Sequence, residues 1–132
     1  MGGEAWSYFT PFQKSVHAAL ESLRDQVFES GEFRGSEMEP ATPEEAFANM
    51  EEAGTASILD ITDVGVTPEF CSVCPLSDED LESYFGTNEP THEMILANRD
   101  FFEPIERGQG IYITVYKNRQ PSEYFFAGYS FD

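Results

Sequence analysis

The chain has 132 residues, with 25 acidic against 7 basic side chains, a formal net charge of −18, 40% hydrophobic residues and 14% aromatics. That length and apolar content suit one domain with a real core, and so many aromatics exclude a disordered acidic tail, which lacks the apolar area to offset ordering entropy. The charge excludes direct binding to phosphate backbones or anionic lipid headgroups, and leaves a solubilising surface, adaptation to high salt, or a face for a basic partner.

The start, Met1 to Trp6, shows neither the basic nor the apolar segment of a secretory leader, and no run of about eighteen apolar residues follows. A soluble, cytoplasmic protein without membrane contact is expected. Trp6 stands where a myristoylation signal beginning at Gly2 would place Ser or Thr, so that pattern fails. Trp6, Tyr8 and Phe9 read as a strand and as cover for a neighbouring layer.

Thr10-Pro11-Phe12-Gln13 combines a capping hydroxyl, a proline suited to the first helical turn and a Gln three positions on, which predicts a helix start. Val16, Leu20, Leu23 and Val27 continue it at helical spacing, and Gly31 offers a left-handed stop. The following "SGEFRGSEMEP" reads as a mobile loop with little to bury. Thr42-Pro43-Glu44-Glu45 predicts a second helix, with Phe47, Met50 and Ala46 inward and Gly54 as its stop.

"SILDI", residues 57 to 61, is a short apolar run between glycines and predicts a strand with Asp60 turned off the core. Asp60 and Asp63 together offer two carboxylates for a cation or for acid–base work, although paired acids are expected by chance in so acidic a chain. Ser77 caps a helix with Leu81, Tyr84 and Phe85 as its packing side and Gly86 as its stop; Thr91 caps another over residues 91 to 99. At the end "GIYITVYK" alternates Ile111, Ile113 and Val115 with Tyr112, Thr114 and Tyr116, and "NRQP" turns the chain into "SEYFFAGYSF". This is a β-hairpin whose aliphatic face should pack on the helices, leaving Tyr112 and Tyr116 either covered by a second layer or exposed as a binding row. The fold class expected is α+β: several helices on a small, mainly antiparallel sheet that includes the C-terminal hairpin, as one domain over residues 1–132.

The only two cysteines, Cys71 and Cys74, form a C-x-x-C spacing. A zinc site needs four ligands, so it would have to recruit His17 and His92, the only histidines, or a second copy of the motif in a homodimer. A redox pair wants its first thiol at a helix N-terminus, whereas these cysteines precede Pro75 and the cap at Ser77, which places them in a loop. Two small soft side chains filling a turn is the plainer account. His92-Glu93 fails as a zinc-protease signature because Leu96 holds the second histidine's place, and Gly108-Gln109-Gly110 has no third glycine and leads into a strand. Neither a nucleophile elbow nor a phosphate-binding loop is present, which makes an enzyme the weaker class.

Charge is uneven. Residues 29 to 52 hold eight acids against Arg34 alone, residues 78 to 93 hold six acids and no Lys or Arg, and the hairpin end is nearly balanced. Glu44, Glu45, Asp78, Glu79 and Asp80 are therefore the expected contacts for a basic protein, joined by Tyr112 and Tyr116. The function that follows is an acidic interaction module, monomeric or homodimeric, that binds or neutralises a basic protein as an immunity protein or nucleic-acid mimic would. No cofactor is expected; the alternative is a small metal- or thiol-dependent enzyme or sensor built on Cys71 and Cys74, for whose metal-dependent form zinc is the candidate ion.

Taken together, "WSYFTPFQ", "SILDI", "CSVCPL", "FFEPIERGQGIYITVYK" and "FFAGYSFD" resemble a small family of uncharacterised bacterial proteins over nearly the whole chain. The resemblance implies a bacterial cytoplasmic domain and carries no activity, cofactor or site residue with it.

Overall fold

A computed structural model describes residues 3–132, with four α-helices and one five-stranded sheet. In chain order these are β1 (Ala5–Pro11), α1 (Val16–Ser30), α2 (Pro43–Asn49), β2 (Asp63–Val64), β3 (Ser72–Pro75), α3 (Asp78–Phe85), α4 (His92–Ala97), β4 (Gln109–Lys117) and β5 (Gln120–Tyr129). The sheet order is β1-β5-β4-β3-β2. β5 runs antiparallel to both β1 and β4, whereas β3 is parallel to β4 and β2 is parallel to β3. The class is α+β as expected, but the sheet is mixed rather than mainly antiparallel. The parallel pairing of β3 with β4 arises because the chain leaves β3 through α3 and α4 before it returns as β4, a crossover that no hairpin signal announces, whereas the parallel β2 and β3 are joined by residues 65–71 alone.

The hairpin is built from local chemistry. Asn118 and Arg119 both take positive φ, 53° and 64°, which gives the two-residue turn whose twist matches that of the strands. Pro121 is accommodated because the register shifts beside Tyr116, a bulge that spares the ladder a missing N–H.

β1 corrects one expectation. Thr10 and Pro11 do not open a helix; they pair with Tyr124 and Glu123 at the end of an edge strand, where proline's missing N–H costs little. Thr10 is buried, and the helix starts five residues later, with Ser15 accepting from the N–H of Ala18. Gly31 closes it at φ 75°, as its position predicts.

Helices cover both faces of the sheet. On one face α1 and α2 bury Leu20, Leu23, Val27 and Ala46 against Trp6, Tyr124, Phe126 and Val73; on the other α3, α4 and a 3₁₀ turn at Asp100–Phe102 bury Leu81, Ile95 and Phe101 against Ile111, Ile113, Val115 and Phe125. Alternation along β4 and β5 sorts these side chains between the two cores. The indole of Trp6 lies over Gly110 and Gly128, which pair across β4 and β5; a Cβ on Gly128 would fall 2.5 Å from the Trp6 ring. Glycine is required there for close approach.

"SILDI" is not a strand. Ile58–Asp60 forms a single 3₁₀ turn capped by Ser57, and Ile58, Leu59, Asp60 and Ile61 are all fully buried. A short turn inserted between α1, α2 and the sheet can bury consecutive side chains in a way that a half-exposed strand cannot. Asp60 is tolerated there because the N–H and Oγ1 of Thr55 donate to its Oδ1 at 2.6 and 2.8 Å, and Ser130 Oγ donates to its Oδ2. Gly54 does not stop α2, which ends at Asn49 with Met50 as its cap. It lies beside this network at φ 83°, where a Cβ would meet Ser130 Oγ and Asp60 Oδ2.

The segment before α2 also docks more than its composition suggests. Phe33 stacks on Phe28 at 6.0 Å, and Arg34 Nη1 donates to the carbonyls of Ala53 and Gly54 at 2.8 and 3.2 Å.

Candidate functional site

The cysteines do not share a loop. Cys71 occupies a turn at φ 62°, its N–H donating to Gly108 O at 2.6 Å and its carbonyl accepting from Thr62 N at 2.9 Å. Cys74 belongs to β3 and is buried in the α3–α4 core. Both thiols are free. Burial and then the nearby Asp60 carboxylate push Cys71 up to about 11, and burial raises Cys74 as well. This is the opposite of the depressed pKa that activates a thiol as nucleophile or ligand.

His17 is exposed on the outer side of α1, and His92 opens α4. His92 Nδ1 shares a hydrogen bond with Glu123 Oε1 at 2.9 Å while its ring stacks on Phe9 at 3.7 Å. The four residues of the hypothetical zinc set are thus dispersed. Among the described residues no three His, Cys, Asp or Glu side chains gather in a group able to hold a metal ion. Asp60 and Asp63 diverge too, the first buried and the second exposed.

The pair of His92 and Glu123 lines an open, polar groove of about 630 Å³ with Thr91, Lys117 and Ser122. A carboxylate that orients an imidazole is an arrangement suited to proton transfer. The nearby Ser122 hydroxyl, however, donates to Val115 O at 3.3 Å and is directed at the backbone.

Acidic first turns define the rest of the surface. Thr42 accepts from Glu45 N and Ser77 accepts from Asp80 N, so the caps place Glu44 and Glu45 at the start of α2 and Asp78, Glu79 and Asp80 at the start of α3. Carboxylates there complement the positive end of each helix. All five are exposed. The two helices pack on opposite faces of the sheet, so one flat partner surface does not collect both groups.

Tyr112 and Tyr116 are half-buried, and Tyr112 meets Tyr124 edge-on at 6.2 Å. The aliphatic face of β4 is the one packed most tightly, with Ile111, Ile113 and Val115 buried as expected. The segment from Trp6 to Phe9 does not lie over the tyrosines as a second layer; it is β1, two strands away in the same sheet. Asp78, Tyr112 and Tyr116 line one cavity of about 220 Å³ together with Asn88 and Thr114. Three of the residues singled out in the sequence therefore converge.

Two constellations lie beyond sequence reasoning: the buried Asp60, Thr55, Ser130 network and the stack of Phe9 on His92 beside Glu123. Each joins residues far apart in the chain, and no local pattern marks either. No family model matches the chain, and neither a curated protein nor a solved structure matches it.

Proposed function

We propose that this protein is an acidic interaction module of the bacterial cytoplasm that binds a basic protein. The observation that carries the reading is the cavity that Asp78, at the start of α3, lines together with the half-exposed Tyr112 and Tyr116, with Glu79, Asp80 and Glu82 exposed on the same helix. Carboxylates steer a cationic partner and tyrosines supply contact area with a hydrogen-bonding tip, which is the division of labour at many protein interfaces. A net charge of −18 opposes nucleic acid as the ligand and opposes self-association, so a monomer is the expected free form. A thiol-based reading finds no comparable support, because burial raises the pKa of both cysteines.

The test is the association rate of a partner isolated by affinity capture and then purified, measured against salt. Steering by α3 is screened beyond about 8 Å at physiological ionic strength, so the on-rate should fall steeply as salt rises and on reversal of Asp78, Glu79 and Asp80 to Lys. An on-rate indifferent to both would remove this face from the binding surface.

A further inference from the structure

β4 lacks a neighbour over one residue. Peptide groups alternate sides along a strand, and the even-numbered residues of β4 turn theirs away from β5. On that side Leu76 N donates to Tyr112 O at 3.3 Å, just past the end of β3, and Tyr116 N donates to Pro90 O at 2.8 Å, where Thr91 and Tyr116 form an isolated parallel bridge. Thr114 lies between these two bonds. Among the described residues its N–H and C=O have no hydrogen-bond partner on this side.

The 220 Å³ cavity fills the gap. Its wall takes Leu81 and Ile113 from the α3–α4 face and Tyr112, Thr114 and Tyr116 from the opposite face, which only an opening at the sheet edge permits. Pro75, Leu76, Asp78 and Asn88 complete it, and no Lys, Arg or His among the described residues lines it.

We propose that this slot receives an arginine side chain of the basic partner, an inference that rests on the reading above and names the group recognised. A guanidinium presents a planar fork of donors, and the slot offers the Thr114 carbonyl, the Asp78 carboxylate and the Asn88 amide oxygen to receive them. A cation in the slot would lie beside the Tyr112 and Tyr116 rings, and Leu76 and Ile113 would meet the aliphatic stem. An added peptide strand fits less well, because the gap is closed by Leu76 at one end and Pro90 at the other with a single unpaired residue between them. A lysine would bring its charge without the fork.

The peptide acetyl-Gly-Arg-Gly-amide, titrated into the full chain and followed by NMR, should shift the Thr114 amide and the Tyr112 and Tyr116 rings. The citrulline peptide, isosteric and uncharged, should bind about ten-fold more weakly. Asp78→Asn should weaken the arginine peptide about three-fold, whereas Glu79→Gln, equal in charge change but off the cavity wall, should leave it unaltered. Equal binding of the two peptides, shifts confined to other surfaces, or equal losses in the two variants would each overturn the slot. The two proposals fail separately. A protein partner with salt-dependent association that ignores Asp78→Asn and Tyr116→Leu removes the slot and keeps the module; peptide binding in the slot, with no basic protein associating, does the reverse.

Discussion

β4 has two different neighbours. Toward β5 it keeps eight register pairs, from Gly110 to Lys117, closed by a two-residue turn; toward β3 it keeps four, from Gln109 to Tyr112, reached only after α3 and α4. A hairpin closes a short loop at small entropic cost and extends until its turn stops it, whereas parallel pairing must wait for the crossover to pack. The side made locally is complete, and β5, flanked by β1 and β4, is buried from Tyr124 to Gly128. The side assembled from a distance is short, and it is there that peptide groups remain available to another molecule. Stability and the proposed recognition are thus divided between the two edges of one strand.

Truncation should break the comparison first. Phe125 is fully buried between Phe9 and Phe101, so Phe125→Ala should cost about 4 kcal/mol in urea unfolding, against about 1 kcal/mol for Val64→Ala in the half-buried edge strand β2. Similar losses at the two sites would show that the parallel edge stabilises as much as the hairpin.

A smaller effect comes from adding an atom to the complete side. In Gly128→Ala the new Cβ would sit 2.5 Å from both the Trp6 ring and Gln109 O, and because one of these is backbone the strand cannot simply yield. A loss of about 2 kcal/mol with a lower thermal midpoint is expected, and a neutral substitution would mean that the indole packs elsewhere.

Cys71, at the turn into β3, sharpens the contrast through pH. Raised from 9.0 to about 11, its thiol should carry roughly a hundredth of the thiolate of an unperturbed cysteine at pH 8, with iodoacetamide labelling slowed in proportion. The neutral thiol is the folded form's preference, so this stabilising contribution is full below pH 9 and is lost as pH rises through about 11. Labelling of native protein at the rate of the unfolded chain would contradict the burial that causes the shift.

The subtlest measurement is amide exchange within β4 itself. Ile113 and Val115 point their N–H groups at β5, while that of Thr114 faces the slot, so Thr114 should exchange at least about ten-fold faster than either neighbour. Uniform protection across the three would mean that the gap is closed in solution.

Local chemistry in the sequence determined the caps at Thr42, Ser77 and Thr91 and the stops at Gly31 and Gly86, because each needs only a few consecutive residues. Ser77 and Thr91 bond amides three positions on, Gly31 and Gly86 turn left-handed at φ 75° and 76°, and the alternation of β4 sorts aliphatic from tyrosine side chains as read. The acidic first turns of α2 and α3 were legible for the same reason. Tertiary structure decided everything that joins distant residues. Thr10-Pro11 carries a valid helix-start signal, yet pairing with β5 outweighs it; "SILDI" has strand composition, yet enclosure on all sides makes it a turn; Cys74 leaves the expected loop for a strand because β4 lies beside it. The site divides along the same line: Asp78, Tyr112 and Tyr116 were recognisable as residue types suited to binding, but the slot they line exists only because β3 ends beside Tyr112 and the chain next meets β4 at Tyr116. Hydrogen bonds within a turn are chosen by neighbours in sequence, whereas an opening in a sheet is chosen by where separate segments come to rest.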